Sequence, residues 1–320
     1  MSMTQDTSMP EGMSIPEDTN MPDGGGTVAA GPGSTGAAGP AGPAAAPAGT
    51  GAGAGEQERG TGGPGSGMSG LRLVWVYPDL LSTYGDRGNL LVLERRARLR
   101  GVRTEPVCVN ADQPVPRQGD IYLIGGGEDL PQILAARRLR ADGGLAAAAS
   151  LGAVVFAVCA GYQLIGTEFA GEEGQPVAGL EIAELRSGRG DRRAVGEILA
   201  DVDPALGLPR LTGFENHQGV TGLGPGVRPL ARVAAGVGNG DGTEGAHAGR
   251  VLGTYLHGPA LVRNPALADL LLGWAAGPLP ELPDAAEEWG RRLREERLAA
   301  VAGVPGTAGL STRAPGRPPR

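Results

Sequence analysis

The chain contains no lysine; all 28 of its basic residues are arginine. Without lysine no Gly-x-x-x-x-Gly-Lys-Ser/Thr loop can form, so this chain carries no P-loop for ATP. Cysteine is almost as scarce. Cys108 and Cys159 are the only two in 320 residues. They make neither a disulfide framework nor a zinc cluster, and a reducing cytoplasm fits that usage. Three histidines leave few bases to choose from. The formal net charge of -7 gives no case for a nucleic-acid partner. The acidic, polar N-terminus offers no basic and apolar targeting segment. One run, Gly143 to Thr167, is free of charge over 25 residues, long enough for a bilayer. It is rich in Ala and Gly, split by Gly152 and interrupted by Gln163. A helix end, a buried parallel strand and a second helix describe it better than a membrane span.

What the chain has in excess is glycine and proline, 58 and 27 residues, concentrated at its two ends. Residues 1–70 have almost no large aliphatic side chains and no aromatic ones. Such a segment cannot bury enough surface to offset its ordering entropy and is expected to be disordered. Met68 stands directly before the first strand and is a candidate true start. A folded domain is expected over 71–277, a C-terminal amphipathic helix within 278–302, and a frayed tail over 303–320.

Within the domain, Leu71–Tyr77 reads as a strand, and a long loop leads to a helix over Asn89–Arg100 with Leu90, Leu93, Ala97 and Leu99 inward. Thr104–Val109 reads as a second strand whose alternation places Cys108 in the core. Asp120–Ile124 is a third strand, running straight into Gly125-Gly126-Gly127-Glu128-Asp129. Three glycines after a strand let backbone amides approach a ligand closely. One helix is expected over Pro131–Ala149, then a fourth strand over Ala153–Val158. The fold class is therefore α/β, with chemistry at the C-terminal ends of parallel strands. The second half is richer in strands: Gly179–Ala183, Ala194–Asp201, Leu211–Asn216, Pro229–Ala235 and Arg250–Leu256. A glycine-rich loop, Gly236–Gly249, holds a solvated His247. In the last helix Ala286, Trp289 and Leu293 share one face, and Glu287–Arg291 and Glu288–Arg292 pair on the other. That helix docks on its own core or on a partner, the former being favoured.

The fourth strand ends at Cys159-Ala160-Gly161-Tyr162-Gln163. A strand, a sharp turn and a helix start lift the cysteine above the sheet as a nucleophile. The helix dipole there is expected to favour thiolate. A nucleophile needs a base. His257, at a strand end before Gly258-Pro259, is favoured over His217, which also reads as a strand end. Gly126 or Gly127, with the Ala160 amide, are candidate oxyanion donors.

These motifs, together with Tyr84-Gly85-Asp86-Arg87-Gly88-Asn89, Phe214-Glu215-Asn216-His217 and Thr254-Tyr255-Leu256-His257-Gly258-Pro259, resemble the class I glutamine amidotransferases of the cobyric-acid-synthase-like branch. Within it they look like the GatD-type glutaminase subunits of lipid II isoglutaminyl synthase. The resemblance implies a flavodoxin-like sheet flanked by helices and hydrolysis of L-glutamine through a thioester. It implies Cys159 as nucleophile, His257 as base, Arg193 as the glutamine-binding cation, and Gly126, Gly127 and Gln163 close to substrate. Gln163 reads equally as a residue capping the turn. Gly127 and Ala160 would form the oxyanion hole. The resemblance implies no metal or cofactor in this chain. ATP and metal belong to a Mur-ligase-like partner, MurT, which amidates D-glutamate of the peptidoglycan stem peptide. A corrinoid or another carboxylate is the alternative acceptor. Pro259 stands where triad enzymes carry a carboxylate, so the site reads as a Cys-His dyad, with Glu215 a candidate to orient the imidazole. Glu128 stands where relatives often carry Gln.

Overall fold

The computed structural model of the chain describes residues 70–302 except Tyr84 and Pro283. The expected extension over 1–69, the Met68 start and the tail over 303–320 lie outside the described residues. The first half alternates strand and helix: β1 (Leu71–Val76), α1 (Arg87–Leu99), β2 (Thr104–Val109), β3 (Ile121–Ile124), α2 (Asp129–Asp142), α3 (Gly144–Ser150), β4 (Val154–Val158) and α4 (Ala160–Leu164). The second half begins with β5 (Glu168–Ala170), β6 (Pro176–Ala178), the long β7 (Leu185–Val202) and β8 (Leu211–Leu223). It continues through β9 (Ala231–Ala235), β10 (Thr243–Glu244), β11 (Ala246–Ala248) and β12 (Val251–Thr254), then α5 (Ala260–Arg263), α6 (Pro265–Ala276) and α7 (Asp284–Ala302).

The first sheet runs β11-β12-β4-β3-β1-β2, parallel except for the edge strand β11. Its parallel part has the order of a flavodoxin-like doubly wound fold, in which ligands bind beyond the carboxyl ends of the strands. Every residue of β3 and β4 is buried, as expected for strands covered on both faces. Each large apolar side chain so buried, Phe156 among them, contributes roughly 1.5–3 kcal/mol. α1 packs with α5 and α6, and α2 with α3 and α4. A second sheet, mostly antiparallel, runs β10-β9-β7-β5-β6 with β8 paired to β7.

Several expectations are corrected. The helix expected over Pro131–Ala149 is two helices, because Gly143 takes a left-handed conformation (φ 67°) that ends α2. Gly179–Ala183 is not a strand; its neighbours form β6 and β7 instead. Cys108 is exposed, since β2 is an edge strand paired only with β1. Leu99 is also exposed. His217 is not at a strand end but inside β8, because that strand runs on to Leu223. His247 is part-buried on β11, its Nε2 3.3 Å from Asp203 Oδ2. In α7, Trp289 is 74% exposed, beneath the Arg292 guanidinium at 5.2 Å. The packed face instead carries Glu287, Arg294 and Val301. Glu287 pairs with Arg96 at 2.9 Å rather than with Arg291, and Arg294 donates to Asn264 Oδ1 at 3.2 Å and to the Arg210 carbonyl. Polar anchors from the core, rather than an apolar stripe, set that face. The helix docks on its own domain, against α5, β7 and β8.

Candidate active site

β4 delivers Cys159 into a turn that few side chains tolerate. Its φ is 53° and ψ -104°, a left-handed region disfavoured for any residue with a Cβ. Strain of this kind is stored at nucleophile elbows, where it aims the side chain away from the strand. Two close contacts hold the turn. The Cys159 amide donates to the Thr254 carbonyl of β12 at 2.8 Å, and the Gly161 amide donates to the Gly125 carbonyl at 3.1 Å. A Cβ on Gly161 would sit 2.7 Å from the Ile124 carbonyl oxygen, so only glycine fits at that position in the first turn of α4.

The sulfur borders a polar cavity of about 280 Å³. Gly127, Glu128 and Asp129 line one wall; Gln132 and Gln163 another; Arg189, Arg193, Asn216, His217 and Gln218 the side toward β7 and β8. Arg193 arrives there through a bulge. The β7–β8 register runs from Arg189↔Gly219 to Ala194↔His217, so four residues of β7 stand opposite Gln218 alone. Bulges of this kind re-aim side chains beside active sites. Arg193 Nε donates to Asn216 Oδ1 at 2.7 Å. Arg189 spans the mouth, reaching Asp129 Oδ2 at 3.2 Å and the Glu172 carbonyl at 2.5 Å. The Gln163 carboxamide is fixed by Gln132 Nε2, which donates to it at 2.9 Å, and by the Tyr255 hydroxyl, to which it donates at 3.2 Å.

The electrostatics of the sulfur differ from the expected thiolate. Burial, then the nearby Asp86 carboxylate, push the Cys159 thiol up to about 12. The Ala160 amide hydrogen bond and the Arg193 charge pull the other way and do not compensate. The helix behind the elbow is five residues long, so its dipole is short and desolvation wins. Cys159 therefore rests as a neutral thiol.

His257 lies three residues past Thr254, at the end of the strand beside β4. It is 2% exposed and lies outside the residues that line the cavity. Its backbone exchanges two hydrogen bonds with Phe214 of β8, at 2.8 and 3.2 Å. Burial, then the neighbouring His217 and Arg193, push its imidazole down to about 4. It is neutral at physiological pH and able to accept a proton. His217 does reach the cavity wall. Its ring stacks on Tyr255 at 3.8 Å, its Nδ1 lies 2.9 Å from the Gly219 carbonyl, and its Nε2 lies 3.5 Å from Glu215. Glu215 also accepts from the Val237 and Gly238 amides. Its hydrogen bonds thus tie β8 to the Val237-Gly238 turn.

The glycine loop places Gly127 at the cavity, but not Gly126, which is buried and donates its amide to Asp86 Oδ2 at 2.7 Å. That donor is spent, which corrects the expectation for Gly126. Asp129, Gln132, Arg189, Asn216 and Gln218 were not singled out from the sequence as wall residues. The four arginines between Arg186 and Arg193 were the available signal, and their alternation gives no sign of the bulge. Among the described residues no group of three His, Cys, Asp or Glu is placed to hold a metal ion.

Residues 72–265 match the CobB/CobQ-like glutamine amidotransferase domain. The chain is 34% identical over 209 residues to the lipid II isoglutaminyl synthase (glutamine-hydrolyzing) subunit GatD of Staphylococcus aureus, covering 64% of this chain and 84% of that one. To the subunit of the same name from Streptococcus pneumoniae it is 34% identical over 216 residues, covering 62% and 77%. Cobyric acid synthase of Sphingopyxis alaskensis is 32% identical over 176 residues, but the match spans 34% of that longer protein. With the family's domain matched over more than half its length, the chain belongs to the CobB/CobQ-like glutamine amidotransferases.

Proposed function

We propose that this chain is the glutaminase subunit of a lipid II isoglutaminyl synthase. The observation that carries the reading is a cysteine on a strained elbow, bordering a polar cavity with two arginines, in a chain that covers most of two GatD proteins. Cys159 Sγ attacks the side-chain amide carbon of L-glutamine while its proton passes to His257. A thiol and an imidazole that both rest neutral favour coupled transfer over a resting ion pair. The Gly127 and Ala160 amides receive the developing oxyanion. Collapse expels ammonia, which takes the proton back from His257, and leaves a γ-glutamyl thioester. Water, deprotonated by His257, then releases glutamate and regenerates the thiol. Arg193 binds the substrate α-carboxylate, and Gln163 shapes the wall near the amide.

The ammonia goes to a Mur-ligase-like partner, MurT, which supplies the ATP chemistry this lysine-free chain lacks and amidates D-glutamate of the stem peptide. The work is cytoplasmic, at the inner face of the membrane through the complex. Among the described residues no helix is long and apolar enough to cross a bilayer. The test is reconstitution with the partner ligase, ATP and lipid II. Isoglutamine-containing lipid II, formed only with glutamine present, is the expected product. Amidation of a corrinoid acid but not of lipid II would point to the alternative acceptor.

Substrate anchoring has its own test. Arg193→Ala is expected to raise KM for glutamine by about 10- to 100-fold with a smaller change in kcat, because an anchor for a non-reacting carboxylate is used in ground and transition states alike. Steady-state ammonia release against glutamine concentration measures it. A pure kcat loss would remove Arg193 from that role.

A further inference from the structure

Asp86 is a buried carboxylate, 4% exposed, and none of the catalytic steps above uses it. It lies in the loop before α1, 40 residues from the glycine loop in sequence, yet its Oδ2 accepts from the Gly126 amide at 2.7 Å. The other side of that residue is also pinned, since the Gly126 carbonyl accepts from the Thr83 amide at 3.2 Å. In a planar trans peptide the C=O of one residue and the N–H of the next point in opposite directions. Fixing the Gly126 carbonyl on Thr83 therefore turns the Gly127 N–H away from Thr83, and Gly127 is the glycine that borders the cavity. Packing is close enough to lock the arrangement. A Cβ on Gly125 would lie 2.3 Å from the Leu81 carbonyl oxygen and 2.7 Å from Asp86 Oδ2.

The same loop grips the turn that carries His257. A Cβ on Gly88 would lie 2.2 Å from Pro259 Cγ, and Asn89 Oδ1 accepts from the Leu261 amide at 3.0 Å. One segment, Gly85–Asn89, thus touches both the glycine loop and the base-bearing turn. The carboxylate is an expensive way to hold it. Asp86 Oδ1 is buried with no hydrogen-bond partner among the described residues, and burial pushes the acid up to about 6. A group kept at such a cost beside a nucleophile is a functional candidate.

We propose that Asp86 is a positioning residue: it holds the Gly125–Gly126 peptide through the Gly126 N–H and, with Thr83 on the Gly126 carbonyl, sets the next peptide in the orientation required for the Gly127 N–H to receive the oxyanion. This rests on the glutaminase reading above. Either protonation state leaves Oδ2 able to accept from Gly126, so an amide can replace the acid.

The test compares Asp86→Ala and Asp86→Asn in the full chain with its partner subunit present, by steady-state glutamine hydrolysis. Asp86→Ala is expected to lower kcat by about 30- to 100-fold, near the loss for one oxyanion donor, with KM changed less than about threefold. Asp86→Asn, which keeps an acceptor for Gly126, is expected to stay within about fivefold of wild type. A merely structural role would not give that rescue confined to kcat. Should Asp86→Ala fail to fold, Asp86→Ser takes its place, its hydroxyl too short to reach Gly126. Wild-type kcat in the acceptor-free variant, or a loss that Asn does not restore, overturns the proposal while wild type stays active and Cys159→Ala stays silent. If wild type and Cys159→Ala release ammonia equally, the glutaminase reading itself falls, and this inference with it.

Discussion

Cys159→Ala is expected to lower glutamine hydrolysis by more than about 1,000-fold while leaving the fold and glutamine binding intact. The magnitude follows from chemistry rather than packing. Without a nucleophile the reaction loses its covalent route, and what remains is catalysis from the oxyanion donors and binding alone. Packing argues that the variant folds. Alanine removes only a sulfur that borders the cavity, and the main-chain bonds from Cys159 to Thr254 and from Gln163 to Cys159 do not involve the side chain. The measurement has two arms: ammonia release, and glutamine affinity by calorimetry. A variant that binds glutamine with near wild-type affinity but releases no ammonia supports the assignment, and one that keeps full activity removes Cys159 from the mechanism. Trapping gives a further check. Slow hydrolysis of the thioester in wild type should add a glutamyl group to the intact mass, and that adduct should be absent from the alanine variant.

The elbow was legible because its signals are local. An apolar strand, a cysteine, two small residues and a helix start occur within a dozen positions, and the strand-end histidine repeats the same logic. The parallel sheet was legible for the same reason, since β3 and β4 are short runs buried on both faces. What was missed depends on contacts between distant segments. Cys108 has the alternation of a core strand, but its place at the sheet edge is decided by which strands come later. Arg193 looked like the residue before a strand. It stands in a bulge inside an 18-residue strand whose register is set by β8. Trp289 looked like an anchor of α7, yet Arg96, Arg210 and Asn264 fix that helix by its polar side. The expected thiolate failed on magnitude. One short helix cannot offset full burial of the sulfur with a carboxylate nearby. Asp86 was visible as part of a family motif, but only the fold brings it to Gly126.

The choice of base lies between two buried histidines, His217 and His257, of which only His217 reaches the cavity wall. His257→Ala is expected to lower kcat by about 100- to 10,000-fold, the range for loss of a general base. His217→Ala is expected to keep kcat within about tenfold. His217 is stacked on Tyr255, has Nδ1 against the Gly219 carbonyl and Nε2 toward Glu215, so both nitrogens face fixed protein groups. His257 follows the strand paired to the elbow, and its backbone bonds to Phe214 fix it at that strand's carboxyl end, beside the strand that carries Cys159. The pH profile separates them further. A base must be neutral to act, and the imidazole of His257 is pushed down to about 4. Its neutral form therefore persists as pH falls below the ordinary histidine range, and kcat/KM is expected to stay flat from pH 7 to about 5 before declining toward pH 4. A silent His257→Ala beside an inactive His217→Ala would transfer the role of base to His217, and an acid limb that sets in well above pH 5 would take it from His257.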